Sequence, residues 1–192
     1  MTELRDLYAP DHVTIASSQV RYGGAILDTV VDEVRLVSTG ARMVREYIRH
    51  DAAVAVLAVR EGTGGDEVLL IRQYRHPVRS LLWEIPAGLM DIEGEEAAVS
   101  AARELREETD MVAASLRPLV KFWTSPGCSD ELIQVFLAED LREAEEAFVR
   151  DDEEAEIEKR WFPLDDVVAA ILAGQLASPS LVNGVLAYLA AK

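Results

Sequence analysis

The spacing of apolar and polar positions changes character near residue 89. Before it, apolar residues come in short, partly alternating runs. Residues 21–37 (RYGGAILDTVVDEVRLV) and 41–49 (ARMVREYIR) carry β-branched side chains and read as strands. Residues 52–59 (AAVAVLAV) form a continuous apolar run suited to a buried strand, and 67–75 (EVLLIRQYR) follows the turn signal GTGGD. After 81–88 (LLWEIPAG) the period becomes that of a helix. Ala98, Ala101, Ala102 and Leu105 fall at i, i+3, i+4 and i+7, predicting an apolar stripe whose small side chains allow close packing. Strands are expected again at 119–124, 132–139 and 158–164, then helices over 164–173 and 180–191, separated by Gly174 and Pro179. The class is α+β, with a mixed sheet between helices.

The best internal boundary lies near His50, where charge-interleaved strands give way to the apolar run. Residues 1–50 read as an N-terminal arm and 51–192 as the main domain. There is no internal repeat.

Composition narrows the picture further. A chain of 192 residues with 49% hydrophobic content can bury one substantial core. No apolar run reaches roughly 18 residues, and the first ten lack a signal-peptide pattern, so no membrane segment is expected and the cytoplasm is the expected compartment. A lone cysteine, Cys128, excludes an intrachain disulfide and a cysteine zinc cage. The net charge of −16 argues against free nucleic acid as a partner. Residues 139–158 hold eleven acids against two arginines, a local balance of −9.

The candidate chemistry sits on the predicted helix. Glu104, Glu107 and Glu108 fall within about a third of its circumference, where like charges repel. Two readings stand. One is a solvated acidic face eased by the i,i+4 pair of Arg103 and Glu107. The other is a site for a hard divalent cation such as Mg²⁺, since the preceding loop, PAGLMDIEGE, has glycines that let backbone carbonyls turn toward a ligand.

These residues resemble the Nudix hydrolase signature: a glycine, five residues, a glutamate, seven residues, then Arg-Glu, an aliphatic, any residue, Glu-Glu, any residue, glycine and an aliphatic. Glu95 and the run RELREETDM from Arg103 to Met111 match it. Two positions depart: six residues separate Gly88 from Glu95, and Asp110 stands where the closing glycine is expected. A loop can absorb the first. Asp tolerates left-handed backbone angles better than most residues, which eases the second. The resemblance implies a Nudix α/β/α sandwich in which Glu104 and Glu108 are the main Mg²⁺ ligands, with Mn²⁺ as the alternative ion. Glu107 would be an additional ligand or a contact to metal-bound water, the carbonyl of Ala87 a backbone ligand, Arg103 would orient the cluster, and Glu95 would help fix the loop.

Outside the signature, QYR before LLWEIPAG and Pro126 in FWTSPGCSDE are similar to the ADP-ribose pyrophosphatases. That likeness implies Mg²⁺-dependent hydrolysis of ADP-ribose to AMP and ribose 5-phosphate, with another nucleotide sugar such as GDP-mannose as the alternative substrate and a non-catalytic ADP-ribose-binding protein as the more distant one. Arg75 would contact the diphosphate and Glu84 would position the loop or a substrate hydroxyl. The N-terminal strands would build a homodimer, with Arg45 and Glu46 at the partner's adenosine pocket. The acidic segment would carry the water-activating base, Glu154 first and Glu153 second. Plainer readings stay open: Arg75 as an exposed strand-end arginine, Pro126 as a turn former, the N-terminal strands as a charged edge, the acidic segment as a solvated loop. His12, His50 and His76 show no ligand spacing.

Overall fold

The computed structural model of the chain describes residues 4–150 and 156–192. It divides into two compact units, Met1–His50 with Ser125–Glu131, and Asp51–Thr124 with Leu132–Lys192.

The first unit is an antiparallel meander of β1 (Val13–Gly23), β2 (Leu27–Leu36) and β3 (Arg42–His50). The run expected as a strand over 21–37 is broken at Gly24, whose amide donates to the Leu27 carbonyl at 2.9 Å and closes the turn into β2. Most of β1 lies ahead of that run. Its side chains are almost all exposed, so no apolar alternation announces it, and its ladder to β2 supplies the order instead. The Ser125–Glu131 segment joins this unit through the backbone: the Ile48 amide donates to the Cys128 carbonyl at 2.8 Å, and the His50 amide to Asp130 Oδ1 at 2.9 Å.

The second unit is a seven-stranded mixed sheet. Its strands are β4 (Ala53–Gly62), β5 (Gly65–Arg75), β6 (Ser80–Glu84), β7 (Ala87–Leu89), β8 (Met111–Trp123), β9 (Leu132–Glu143) and β10 (Glu158–Pro163). The order is β10-β5-β4-β9-β8, with β6 paired to β5 and β7 to β4. Among the described strands of this sheet only the β4–β9 pair is parallel. Among the described residues three α-helices complete the unit: α1 (Ala97–Thr109), α2 (Leu164–Leu172) and α3 (Pro179–Ala191).

The apolar run of β4 explains the layers. Alternate side chains point to opposite faces of a strand. Ala53, Ala55, Leu57 and Val59 pack with Leu164 and Val167 of α2 and with Leu181, Val185 and Tyr188 of α3. Val54, Val56 and Ala58 pack with Ala101 and Leu105 of α1. Helices therefore cover both faces of β4, as the expected sandwich requires, and an uninterrupted apolar sequence follows.

Two elements extend beyond their sequence-based bounds. β8 begins at Met111, not near Leu119, because it ladders with β9 along its whole length. Pro118 is tolerated there because β8 is an edge strand and its register shifts at Pro118/Val120. β9 correspondingly runs to Glu143, into the acidic segment. Among the described residues no helix is long and apolar enough to cross a membrane.

Candidate active site

The turn of helix that crowds three carboxylates faces inward more than its alanine spacing suggests. Ala101 and Leu105 are buried as expected, but Ala98 and Ala102 are exposed, while Ser100, Glu108 and Thr109 are buried. The buried face is rotated toward Glu108. Alanine is small enough for either side, so Leu105 and the polar partners of Glu108 decide the rotation.

Glu108, 6% exposed, accepts a hydrogen bond from the Ala87 amide at Oε2, 2.8 Å away. Ala87 opens β7, and on a regular strand a residue's carbonyl leaves from the same edge as its amide. The Ala87 carbonyl therefore faces the edge where Glu108 lies. Its neighbour Gly88 pairs with Val54, and a Cβ on Gly88 would overlap the Glu104 carboxylate. Glycine is required there so that helix and strand can approach with the carboxylate between them.

Arg103 gathers the remaining charge. One guanidinium nitrogen, Nη1, donates to Glu104 Oε1 at 2.5 Å and to Glu107 Oε2 at 3.1 Å. The other, Nη2, donates to Glu95 Oε2 at 3.2 Å and to the buried Ser100 hydroxyl at 3.3 Å. The bond to Glu95 is the largest influence raising the arginine's pKa above its ordinary value, and the same bond leads in lowering that of Glu95. Four of the expected residues, Glu95, Arg103, Glu104 and Glu107, thus form one network, and Glu108, bonded to Ala87 of β7, lies on α1 next to Glu107.

Arg75 and Glu84 also meet. The guanidinium forks onto the carboxylate, Nε to Oε1 at 3.0 Å and Nη2 to Oε2 at 2.7 Å, with the Glu84 side chain 10% exposed and that of Arg75 44% exposed. Gln73 Nε2 adds a bond to Glu84 at 3.4 Å, a partner its sequence position does not announce.

The other expected residues belong to the first unit or lie outside the description. On β3, Arg45 donates to the Val44 carbonyl at 2.9 Å, and Glu46 is exposed. Pro126 is exposed in a turn closed by the Cys128 and Ser129 amides on the Ser125 carbonyl, at 2.9 and 2.8 Å. Glu153 and Glu154 lie outside the described residues.

Asp110 is the residue whose importance the sequence understates. It caps α1 at φ 60°, the left-handed angle that a glycine would also accept. Its carboxylate takes the Phe148 amide at 2.8 Å and Lys159 Nζ at 2.7 Å, with Arg150 Nη2 at 2.7 Å as an ion pair. Burial pushes its carboxyl up, but Lys159, the Phe148 amide and Arg150 outweigh burial and hold it at about 2. The signal was the charged residue at a glycine position.

Among the described residues no three His, Cys, Asp or Glu side chains converge in a geometry that would hold a metal ion; Glu104 and Glu107 close on Arg103. The donor chemistry nevertheless suits a hard cation. Glu104 and Glu108 lie along the seam of α1 with β7, where glycine leaves room for Glu104, and Glu107 is tied to Glu104 through Arg103.

The NUDIX domain matches residues 49–181. The ADP-ribose pyrophosphatase of Mycobacterium tuberculosis (strain ATCC 25618 / H37Rv) is 37% identical over 171 residues, which are 89% of this chain and 80% of that protein. The ADP-ribose pyrophosphatase of Bacillus subtilis (strain 168) is 41% identical over 141 residues, 73% of each chain. In fold, the chain resembles the crystal structure of an ADP compounds hydrolase, with a TM-score of 0.77, 22% identity, and coverage of 92% of this chain and 91% of that one. With the signature carboxylates assembled on α1 and the domain match spanning most of the sequence, the chain belongs to the NUDIX family, as one of its pyrophosphohydrolases.

Proposed function

We propose that this chain hydrolyses the diphosphate of ADP-ribose to AMP and ribose 5-phosphate, using Mg²⁺, or Mn²⁺ in its place, as a cytoplasmic homodimer. The observation that carries this reading is the helix–strand seam of Glu104, Glu108 and Ala87, with Glu107 joined to it through Arg103, in a chain that aligns over 89% of its length with an ADP-ribose pyrophosphatase.

In this reading Glu104, Glu108 and the Ala87 carbonyl hold the cation and Glu107 assists. A divalent ion bound there neutralises the diphosphate and the charge that develops on it during attack. Arg103 keeps Glu104 and Glu107 together. Glu95 holds Arg103, so the signature's first glutamate acts through the second half of the motif. Arg75, oriented by its fork onto Glu84, presents the exposed part of its guanidinium to the diphosphate.

The attacking oxygen comes from water. One bond forms between that oxygen and phosphorus, and the bond from phosphorus to the bridging oxygen breaks. A carboxylate of the acidic segment, Glu154 or Glu153, takes the water's proton, because a carboxylate holding a cation is a poor proton acceptor.

The first unit would supply the dimer. Its sheet leaves Ile15, Val20, Tyr22, Val44 and Ile48 exposed, side chains that a second copy could cover. Arg45 and Glu46 would then serve the adenosine of the partner subunit's substrate, and Pro126 would take part in binding substrate.

A panel of ADP-ribose, GDP-mannose and other nucleoside diphosphate derivatives, incubated with Mg²⁺ and resolved by product chromatography, tests the substrate. ADP-ribose should give the highest kcat/KM, with AMP as a product. A higher kcat/KM for GDP-mannose would reassign the substrate, and binding of ADP-ribose without turnover of any compound would make the chain a binding protein.

A further inference from the structure

Residues 97–102 of α1 read AAVSAA, and the one polar side chain in that run, Ser100, is fully buried. Alanine would fill the place with a better helix former and no polar atom to desolvate, so the hydroxyl needs a use that offsets its burial. A buried helical hydroxyl can donate back to a carbonyl one turn earlier. Thr109, the other buried hydroxyl of α1, does so, to the Leu105 carbonyl. Ser100 is engaged differently: its oxygen accepts Arg103 Nη2 at 3.3 Å.

That bond selects one orientation of the guanidinium. Ser100 stands three positions before Arg103 on the same side of the helix, and helical side chains lean toward the N-terminus, so Arg103 reaches back over it. Among the described residues the other partners of Nη2, Glu95 at 3.2 Å and Asp91 at 3.9 Å, both precede α1. Ser100 is the partner carried by the helix itself, and the packing that buries it fixes where its oxygen stands. A guanidinium is a planar, rigid fork, so holding Nη2 on the helix also sets the direction of Nη1. Nη1 then meets Glu104 Oε1 at 2.5 Å and Glu107 Oε2 at 3.1 Å. The signature leaves the seven positions between Glu95 and Arg103 open, and one of them stands behind the arginine that joins two of its glutamates.

We propose that Ser100 is a positioning residue for the cation site. By pinning Nη2 to α1 it fixes the turn of the Arg103 guanidinium, and so sets the separation of the Glu104 and Glu107 carboxylates before a cation arrives. The inference rests on the reading that these carboxylates serve a divalent ion. Ser100 touches neither cation nor substrate; it acts through Arg103.

Ser100→Ala removes the oxygen, and Ser100→Cys keeps a side chain of similar size with a much weaker acceptor, both in the full-length chain. The first readout is Mn²⁺ alone, titrated without substrate and followed by electron paramagnetic resonance. Both variants should bind Mn²⁺ about tenfold more weakly than wild type, as when a group supporting a ligand is lost. The melting temperature of Ser100→Ala should stay within about 3 °C of wild type, since better helix propensity and one fewer buried polar atom offset the lost bond. With ADP-ribose, the Mg²⁺ concentration giving half-maximal rate should rise about tenfold, while KM at saturating Mg²⁺ stays within about twofold.

Wild-type Mn²⁺ affinity in Ser100→Ala would overturn the proposal. So would weaker binding accompanied in both variants by a larger loss of melting temperature, which would make Ser100 a packing residue of α1. Should Ser100→Ala fail to fold, Ser100→Cys is judged by the same measurements. The cation reading is tested separately, on wild type and Glu108→Gln: a wild-type chain that binds no Mn²⁺, or binds it as tightly after Glu108→Gln, would remove that reading and this proposal with it.

Discussion

Arg103 is hydrogen-bonded to three carboxylates at once, which makes a crowded acidic turn compatible with a folded helix. The pairing of Glu108 with the Ala87 amide gives it a different character, buried and bonded to backbone. In Glu108→Gln the amide oxygen can still accept that bond, so packing should survive while the charge is lost. We expect kcat to fall by about a hundredfold or more in saturating Mg²⁺. A wild-type rate would leave the cluster as a structural ion-pair network. Asp110 gives a second prediction, on pH. Its folded pKa of about 2 lies below the ordinary 3.8, so its stabilisation is present above the unfolded value and is lost as pH falls from about 4 toward 2. The effect is at most about 2 kcal/mol for this half-buried group. Urea unfolding across that window should show wild type losing more stability than Asp110→Asn; parallel losses would contradict it. At this scale the sequence was informative wherever identity alone sets the chemistry, as for the glutamates and Arg103. It was silent on Gln73 and the Phe148 amide, whose partners come from distant positions.

At the scale of elements, the site depends on how closely β7 approaches α1. Gly88→Ala would drive a methyl group into the Glu104 carboxylate. Since one of the two must move, kcat should fall at least about tenfold, with a lower melting temperature. Unchanged values for both would mean that the seam is looser than the geometry implies. Glu153→Gln/Glu154→Gln addresses the acidic segment: kcat should drop by about a hundredfold with KM little changed, and a wild-type kcat would put the base elsewhere. Elements were legible where burial is one-sided or complete. The apolar run of β4 reads directly as a strand covered on both faces. β1 could not be read this way, because exposed polar side chains leave only backbone pairing to define it. The alanine stripe of α1 misdirected the face by part of a turn, because alanine carries too little apolar area to choose a side against Leu105 and the bonded Glu108.

The whole molecule carries a net charge of −16 and would act on an anionic diphosphate, which is consistent only if cations reverse the sign of the site. The sequence changes from charge-interleaved to apolar strands near His50, and the first unit's N-terminal part ends there. The membership of Ser125–Glu131 in the first unit was not legible, since it depends on hydrogen bonds that the Ile48 and His50 amides donate to the Cys128 carbonyl and the Asp130 carboxylate, some eighty positions later. For the proposed homodimer, light scattering should return twice the 21.2 kDa chain mass. A monomer fully active at assay concentration would refute both the dimer and a pocket shared between subunits. The central claim is that the α1 carboxylates work through a divalent cation to split ADP-ribose. Its most direct test is product chromatography of ADP-ribose incubated with the chain before and after thorough chelation, then after Mg²⁺ is restored. AMP and ribose 5-phosphate should form, vanish and return in that order; full activity after chelation would contradict the claim.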